Sequence, residues 1–183
     1  MPTDAKFLDG LRVRSLGRDV NVSGFTCNET IDWYLKNAAC EHHELRFTTA
    51  HCFMHEDNLA GYVTTSMTEV VLEDSPLRLL YGLTEILIRK GGGHRKRFPG
   101  LLIGMLGVCD RYKRRGLGQH MVKFAVGQAL GASDTVACRF VAVDSDVSPE
   151  ALGLYEKVGF TAPAGQKRSD TVRMLHDLKR RRD

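Results

Sequence analysis

One stretch decides the fold of this chain: Lys113-Arg114-Arg115-Gly116-Leu117-Gly118-Gln119. It follows an apolar run, Leu101 to Val108, and precedes an amphipathic segment, Met121 to Leu130. This order predicts a buried strand, a glycine turn and a helix. Glycines at such a junction let successive backbone N–H groups point into one concavity, and the helix N-terminus adds partial positive charge. With three basic side chains beside it, the turn is suited to a phosphorylated ligand, and we expect a pyrophosphate.

Composition and length indicate the class of protein and the number of domains. The chain has 183 residues, of which 43% are apolar and 26% charged, values typical of a globular protein and not of a disordered one. This length predicts a single domain over residues 1–183. The formal net charge of +4 permits a polyanionic partner but does not require one.

Three sequence features predict a cytoplasmic protein without a metal site. Met1 to Gly10 is polar and mixed in charge, unlike a secretory signal, and no apolar run approaches the ~20 residues that span a bilayer. The cysteines are odd in number, at five, and none are spaced as CxxC. This pattern argues against a zinc site and favours reduced thiols.

The N-terminal half predicts mixed secondary structure. We expect a first strand over Leu11 to Val22, then a helix capped by Asn28 or Thr30. Two further strands, Phe47 to Met54 and Leu59 to Met67, flank a polar turn and predict a hairpin. The apolar segment Leu79 to Ile88 fits a helix or a strand. Arg89 to Arg97 is a flexible basic loop by composition, and Pro99 precedes the central strand.

The C-terminal half continues the alternation. Val136 to Val143 predicts a buried strand, and Ser148-Pro149-Glu150 is a typical helix start. That helix is expected to stop at Gly159, and Thr171 to Leu178 predicts an edge strand before a basic tail. Strands and helices in this order predict one α+β domain.

A second motif, read together with the glycine turn, indicates a protein family. The turn alone lacks the Gly-Lys-Ser/Thr ending of a P-loop and the third glycine of the Rossmann fingerprint. About 40 residues downstream lies Leu154-Tyr155-Glu156-Lys157-Val158-Gly159-Phe160. The two motifs in this order closely resemble the GNAT superfamily of acyl-CoA N-acyltransferases, over residues 101–160. The resemblance implies a mixed central β-sheet flanked by helices, with splayed central strands.

The resemblance also implies how acetyl-CoA is held. In this family the backbone of residues matching Leu106 and Val108 bonds the pantetheine arm, and backbone groups of Arg114 to Gln119 would hold the pyrophosphate. Family members usually carry Gln or Arg where this chain has Lys113. Many carry Asn at the position of Ser148, where the side chain contacts the coenzyme arm. No metal is implied.

Tyr155 is the expected catalytic residue. When an amine attacks the thioester, the leaving CoA thiolate needs a proton, and a tyrosine hydroxyl can supply it. The alternative is a core aromatic side chain on a buried helix face. For a general base, Asp144 at a strand end and His120 after the turn are candidates. A polar strand end and an exposed histidine explain them equally well, and in this superfamily the amine often loses its proton to water.

A narrower resemblance concerns the acceptor. Phe25 to Leu35 is similar to the start of GNAT toxins from type II toxin–antitoxin pairs, and Gly61-Tyr62-Val63-Thr64 resembles their Gly-Tyr-Tyr-Thr strand. Those toxins acetylate the amino group of aminoacyl-tRNA. Their central strand often carries an arginine and an aspartate that Gly104 to Cys109 lacks.

The sequence therefore predicts an acetyl-CoA-dependent N-acetyltransferase, with aminoacyl-tRNA as the leading acceptor. A small-molecule or protein amine acetyltransferase and a non-catalytic acyl-CoA-binding domain remain as alternatives. The basic stretches Arg89 to Arg97 and Arg111 to Arg115, with the basic tail Lys179 to Arg182, fit an RNA footprint, or else a solvated loop and tail. The toxin resemblance adds a ribbon-helix-helix antitoxin and a homodimer as candidate partners, and we expect no membrane association.

Overall fold

A computed structural model of the chain describes residues 4–72, 97–162 and 170–178. Its elements alternate between helices and strands, as follows: α1 (Ala5–Asp9), β1 (Leu11–Ser15), α2 (Glu29–Asn37), α3 (Ala39–Glu44), β2 (Thr49–His55), β3 (Asn58–Val71), β4 (Arg97–Val108), a short 3-10 helix (Asp110–Tyr112), α4 (Leu117–Ala132), β5 (Phe140–Asp146), α5 (Pro149–Glu156) and β6 (Thr171–Asp177).

The strands form one six-stranded mixed sheet in the order β1-β2-β3-β4-β5-β6. β1 pairs antiparallel with β2, β2 with β3, and β5 with β6. The expected α+β class and the flanked mixed sheet are confirmed. The splaying of the central strands stays a prediction, as does the single domain over residues 1–183. The chain packs as two compact units, Met1–Ser66 with Ile103–Ala125, and Met67–Leu102 with Val126–Asp183, called here unit 1 and unit 2.

Unit 1 is built on the predicted hairpin. His55 pairs with Asn58 across a two-residue turn, in which Glu56 takes a φ of 55°. Helix α2 begins where expected, because the Asn28 side chain accepts a hydrogen bond of 2.9 Å from the backbone N–H of Ile31. The core of this unit consists of fully buried side chains, among them Phe25, Phe53, Tyr62, Val63, Leu117 and Met121.

Unit 2 has its own core between β5 and its neighbours. Phe140, Val141, Ala142 and Val143 are all buried, as expected of a strand that is covered on both faces. An apolar cluster joins residues of four strands of this unit and Leu72, which follows β3; its members are Val70, Leu72, Phe98, Leu102, Phe140, Ala142 and Leu175. Strand β6 closes the sheet as the predicted edge strand.

Several predicted boundaries were wrong. Strand β4 begins at Arg97, not after Pro99, so Arg97 belongs to the sheet, where its guanidinium lies 2.6 Å from Glu69. Strand β5 runs from Phe140 to Asp146. It begins later than predicted because the N–H of Val136 still bonds to the carbonyl of Ala132 at the end of α4. The first strand ends at Ser15. The segment 79–88 and most of the basic loop, 89–96, lie outside the described residues.

All five cysteines are free thiols. Within residues 4–72, 97–162 and 170–178, none of the helices has both the length and the apolar composition needed to cross a membrane.

Candidate functional site

The glycine turn of unit 1 has the backbone of an anion-binding concavity. Arg114 has a φ of 62° and Gly116 a φ of 89°, so two residues of the turn lie in the left-handed region on either side of Arg115. A positive φ is uncommon for a residue other than glycine and is found where a loop must turn its amides to one side. The arginine in this conformation was not foreseen from the sequence.

Helix α4 starts directly from the turn. Its first backbone hydrogen bond runs from the N–H of His120 to the carbonyl of Gly116, at 3.1 Å. The N–H groups of Leu117, Gly118 and Gln119 therefore have no acceptor within their own helix. Such donors, together with the positive end of a helix dipole, favour binding of an anion such as a pyrophosphate.

The basic side chains contribute less than the sequence suggested. The ammonium of Lys113 lies 2.6 Å from the Asp110 carboxylate. The guanidinium of Arg115 bonds to Asp4 through Nε at 3.0 Å and Nη2 at 2.7 Å. Of the three, Arg114 is the one with no acidic partner among the described residues. Because Asp4 balances the charge of Arg115 and Asp110 lies beside Lys113, contact of these side chains with a ligand stays a prediction.

The C-terminal half of β4 leads into this turn. Gly104 is exposed, and Met105, Leu106 and Val108 are half-buried, although β4 is the fourth of six strands. The N–H of Met105 donates to the hydroxyl of Thr64 at 2.8 Å, so a side chain takes the place of a backbone acceptor. This half of β4 is therefore only partly covered, and contact of Leu106 and Val108 with a ligand stays a prediction.

The space beside Gly107 is filled by side chains from the two segments that resemble the GNAT toxins, which begin at Phe25 and Gly61. A Cβ on this residue would lie 2.6 Å from Ile31 Cγ2, 3.0 Å from Tyr62 Cε1 and 3.2 Å from Phe25 Cζ. The Tyr62 hydroxyl donates to the carbonyl of Ile31 at 2.7 Å. The segment from Phe25 and the Gly-Tyr strand thus meet at Gly107 of β4.

In unit 2, Tyr155 is positioned by the end of helix α5. The N–H of Phe160 donates to the carbonyl of Tyr155 at 3.1 Å, and the N–H of Gly159 to the carbonyl of Glu156 at 2.9 Å. With the φ of 89° at Gly159, this is a Schellman motif. Its apolar contact is the Tyr155–Phe160 pair, whose ring centroids are 5.6 Å apart. The predicted helix stop is confirmed, and it also orients the tyrosine.

The Tyr155 phenol is protonated at neutral pH. The side chain is 7% exposed, and burial raises its pKa to about 12. The hydroxyl has no hydrogen-bond partner among residues 4–72, 97–162 and 170–178. A neutral, unengaged phenol is what a general acid requires, but the same ring also serves the packing alternative.

Ser148 is occupied as a helix cap. Its hydroxyl accepts from the N–H of Ala151 at 3.4 Å, and its own N–H donates to Asp146 at 2.7 Å. The hydrogen bonds from Ser148 lower the pKa of the Asp146 carboxyl. The predicted N-cap is confirmed, whereas contact with a coenzyme stays a prediction.

The structure favours a structural role over a general-base role for Asp144 and for His120. Asp144 lies inside β5, not at its end, and its carboxylate pairs with the guanidinium of Arg173 on β6, with Nη2 at 2.8 Å. The ring of His120 packs edge-on against Phe53, with centroids 5.9 Å apart. Arg173, like Asp4, is a partner that the sequence did not reveal, because each lies far along the chain from the residue it binds.

Comparison with known proteins gives the family. A family model described as the acetyltransferase (GNAT) family matches residues 21–160. N-alpha-acetyltransferase 30 of Xenopus laevis is 38% identical over 68 residues, which are 37% of this chain and 23% of that protein. The chain therefore spans about a quarter of the length of this curated relative. A tRNA-acetylating toxin of Mycobacterium tuberculosis is 23% identical over 141 residues, 76% of this chain and 78% of that protein.

Among solved structures, one is of a mutant of the toxin AtaT bound to the C-terminus of the antitoxin AtaR and acetyl-CoA. It superposes with a TM-score of 0.68 at 16% identity, over 91% of this chain and 92% of that one. At this identity the likeness shows a shared fold. With a family model that covers residues 21–160, the chain belongs to the acetyltransferase (GNAT) family.

Proposed function

We propose that this protein transfers the acetyl group of acetyl-CoA to a primary amine, and that the amine is the amino group of an aminoacyl-tRNA. The observation that carries the first part is the turn between β4 and α4. Arg114 and Gly116 have left-handed backbones, and the N–H groups of Leu117 to Gln119 have no acceptor within helix α4. This arrangement supports a pyrophosphate site.

The chain's own residues would divide the work as follows. Backbone donors of Arg114 to Gln119 hold the pyrophosphate, and the open half of β4 near Leu106 and Val108 offers backbone groups to the pantetheine arm. Lys113 and Ser148 remain proposed contacts. Acetyl-CoA supplies the acetyl group as a thioester, which the neutral amine attacks. Tyr155 then donates its hydroxyl proton to the departing sulfur, and water takes the proton that the amine loses.

The acceptor is proposed from three lines of support. The tRNA-acetylating toxin matches over 76% of this chain. The toxin-like segments at Phe25 and Gly61 pack on the same strand, through Gly107. The basic residues Arg111 and Arg114 flank the turn without a carboxylate partner among the described residues, and they provide positive charge for phosphates.

A direct assay tests this proposal. The protein is incubated with labelled acetyl-CoA and charged total tRNA, beside separate reactions with polyamines, aminoglycosides, free amino acids and peptides with free N-termini. We expect label on aminoacyl-tRNA, and we expect the rate at low tRNA concentration to fall steeply as salt is raised. Label on a free small amine alone would reject tRNA as the acceptor.

Protein N-termini are the second candidate acceptor. The stretch that is 38% identical to N-alpha-acetyltransferase 30 supports this possibility, although it covers 23% of that protein. Label on the peptides but not on tRNA would favour it. Binding of acetyl-CoA with no transfer to any amine would favour the non-catalytic alternative.

The remaining proposals concern the binding partners of the protein and its location in the cell. The resemblance to toxins that act with antitoxins supports a ribbon-helix-helix antitoxin, a homodimer and a cytoplasmic location. Copurification with the product of a small gene directly upstream tests the first, and sedimentation of the purified protein tests the second.

A further inference from the structure

The N-terminal segment of the chain contacts the turn that we assign to the pyrophosphate. Asp4 caps helix α1, since its Oδ1 accepts from the N–H of Phe7 at 3.1 Å. Its other oxygen, Oδ2, accepts both hydrogen bonds from the Arg115 guanidinium. One carboxylate thus joins the start of the chain to a residue 111 positions away.

Arg115 is held at three points by this segment. In addition to the two bonds to Asp4, its guanidinium carbon lies 3.8 Å from the centre of the Phe7 ring. Its backbone carbonyl accepts from the N–H of Asp4 at 3.3 Å. Arg115 is the middle residue between the two left-handed residues of the turn, so its position decides where the neighbouring N–H groups point.

Phe7 anchors the segment in the core of unit 1. It is 2% exposed, and its ring stacks nearly parallel to that of Tyr112, with centroids 5.6 Å apart and an angle of 13°. His55 packs on the same side, with its ring centroid 5.0 Å from that of Phe7. Since Tyr112 is in the short helix that leads into the turn, the segment contacts both the residue before the turn and Arg115 within it.

We propose that Asp4 is a positioning residue for acetyl-CoA binding, which acts by holding Arg115 so that the turn keeps its pyrophosphate-binding shape. This inference rests on the proposed function, because it presumes that the turn binds the coenzyme. A ligand that meets a preformed site does not have to order the loop on binding, so its affinity is higher. Arg115 then contributes through its backbone, and its charge is balanced before any ligand arrives.

A simple alternative gives the opposite expectation. If Arg115 binds the pyrophosphate with its guanidinium, Asp4 competes with the ligand, and its neutralisation should strengthen binding. The variant Asp4→Asn separates the two cases, because asparagine keeps the helix cap but loses the charge that holds Arg115.

The experiment measures the dissociation constant of acetyl-CoA by calorimetry for the wild type, Asp4→Asn, Arg115→Met and the double variant. Asp4→Asn should raise the dissociation constant roughly two- to fivefold, the range that corresponds to a partly exposed ion pair. Arg115→Met should raise it by a similar factor, and the double variant should bind no more weakly than Arg115→Met. In 0.5 M salt the effect of Asp4→Asn should shrink, because ions screen the pair.

A matched control is Asp57→Asn, which removes the carboxylate 3.3 Å from Arg12 at an exposed site of the same unit. It should leave the affinity for acetyl-CoA unchanged, and thermal unfolding of each variant reports on folding. An unchanged or tighter affinity in folded Asp4→Asn would overturn the inference. A wild type that binds no acetyl-CoA would instead overturn the proposed function.

Discussion

Removal of one oxygen atom by Tyr155→Phe is the sharpest test of the proposed chemistry. The ring that packs 5.6 Å from Phe160 stays in place. Because the hydroxyl has no partner among the described residues, its loss should change the free energy of unfolding by less than the ~1 kcal/mol of a typical hydrogen bond. The affinity for acetyl-CoA should also persist.

The effect on the rate should be large. A positioned general acid contributes about 10²- to 10⁴-fold, which corresponds to roughly 2.7–5.5 kcal/mol of transition-state stabilisation. The pKa of Tyr155, raised to about 12 by burial, also fixes the pH dependence. At pH 10 only about 1% of such a phenol is ionised, so the rate should not fall between pH 7 and 10 through loss of this proton.

The assay is acetyl transfer at saturating acetyl-CoA, with the affinity and the unfolding free energy measured on the same preparations. Tyr34→Phe is the matched control, since its hydroxyl lies 3.2 Å from Nδ1 of His42. This variant should lose about 0.5–1.5 kcal/mol of stability and keep its activity. Full activity in Tyr155→Phe would refute the proton-donor role and leave Tyr155 as a packing residue.

Three further substitutions test the coenzyme site and the packing around glycines. Gly118→Asp places a carboxylate beside the N–H groups at the start of α4, so the dissociation constant of acetyl-CoA measured by calorimetry should rise at least about tenfold; unchanged affinity in the folded variant would reject the site. Gly107→Ala puts a methyl group 2.6 Å from Ile31 Cγ2 and 3.0 Å from Tyr62 Cε1, and should cost about 1–3 kcal/mol in denaturant unfolding. Gly127→Ala, in α4 with open space around the added methyl group, should instead be neutral or stabilising by up to about 1 kcal/mol.

The features predicted correctly from sequence are those decided by neighbours along the chain. Asn28 and Ser148 cap their helices through bonds to residues three positions later, and Gly159 ends α5 through bonds to residues three to five positions earlier. The hairpin between β2 and β3 depends on a turn of two residues. In each case the groups that form the hydrogen bonds lie within a few residues of each other along the chain. The local residue types are therefore enough to predict the feature.

The errors come from contacts between distant segments. Strand β4 extends back to Arg97, where Glu69 on β3 provides a partner for its side chain. Asp144 is neutralised by Arg173, which the antiparallel register of β5 and β6 places opposite it. The predicted strand ends at Val143, so the sequence alone suggests that Asp144 is a free carboxylate at a strand end. The local sequence contains neither Arg173 nor the pairing of β5 with β6.

The basic turn shows why a charge count is a poor guide to an anion site. Arg115 is committed to Asp4 and the ammonium of Lys113 lies beside Asp110, so most of the formal charge of the turn is balanced within unit 1. The donors that remain are backbone N–H groups, whose directions depend on the left-handed conformations of Arg114 and Gly116. The proposed pyrophosphate site would therefore depend on the shape of the turn more than on its net charge. The contacts of Asp4 with Arg115, which we propose hold that shape, are for this reason the ones to test beside the turn itself.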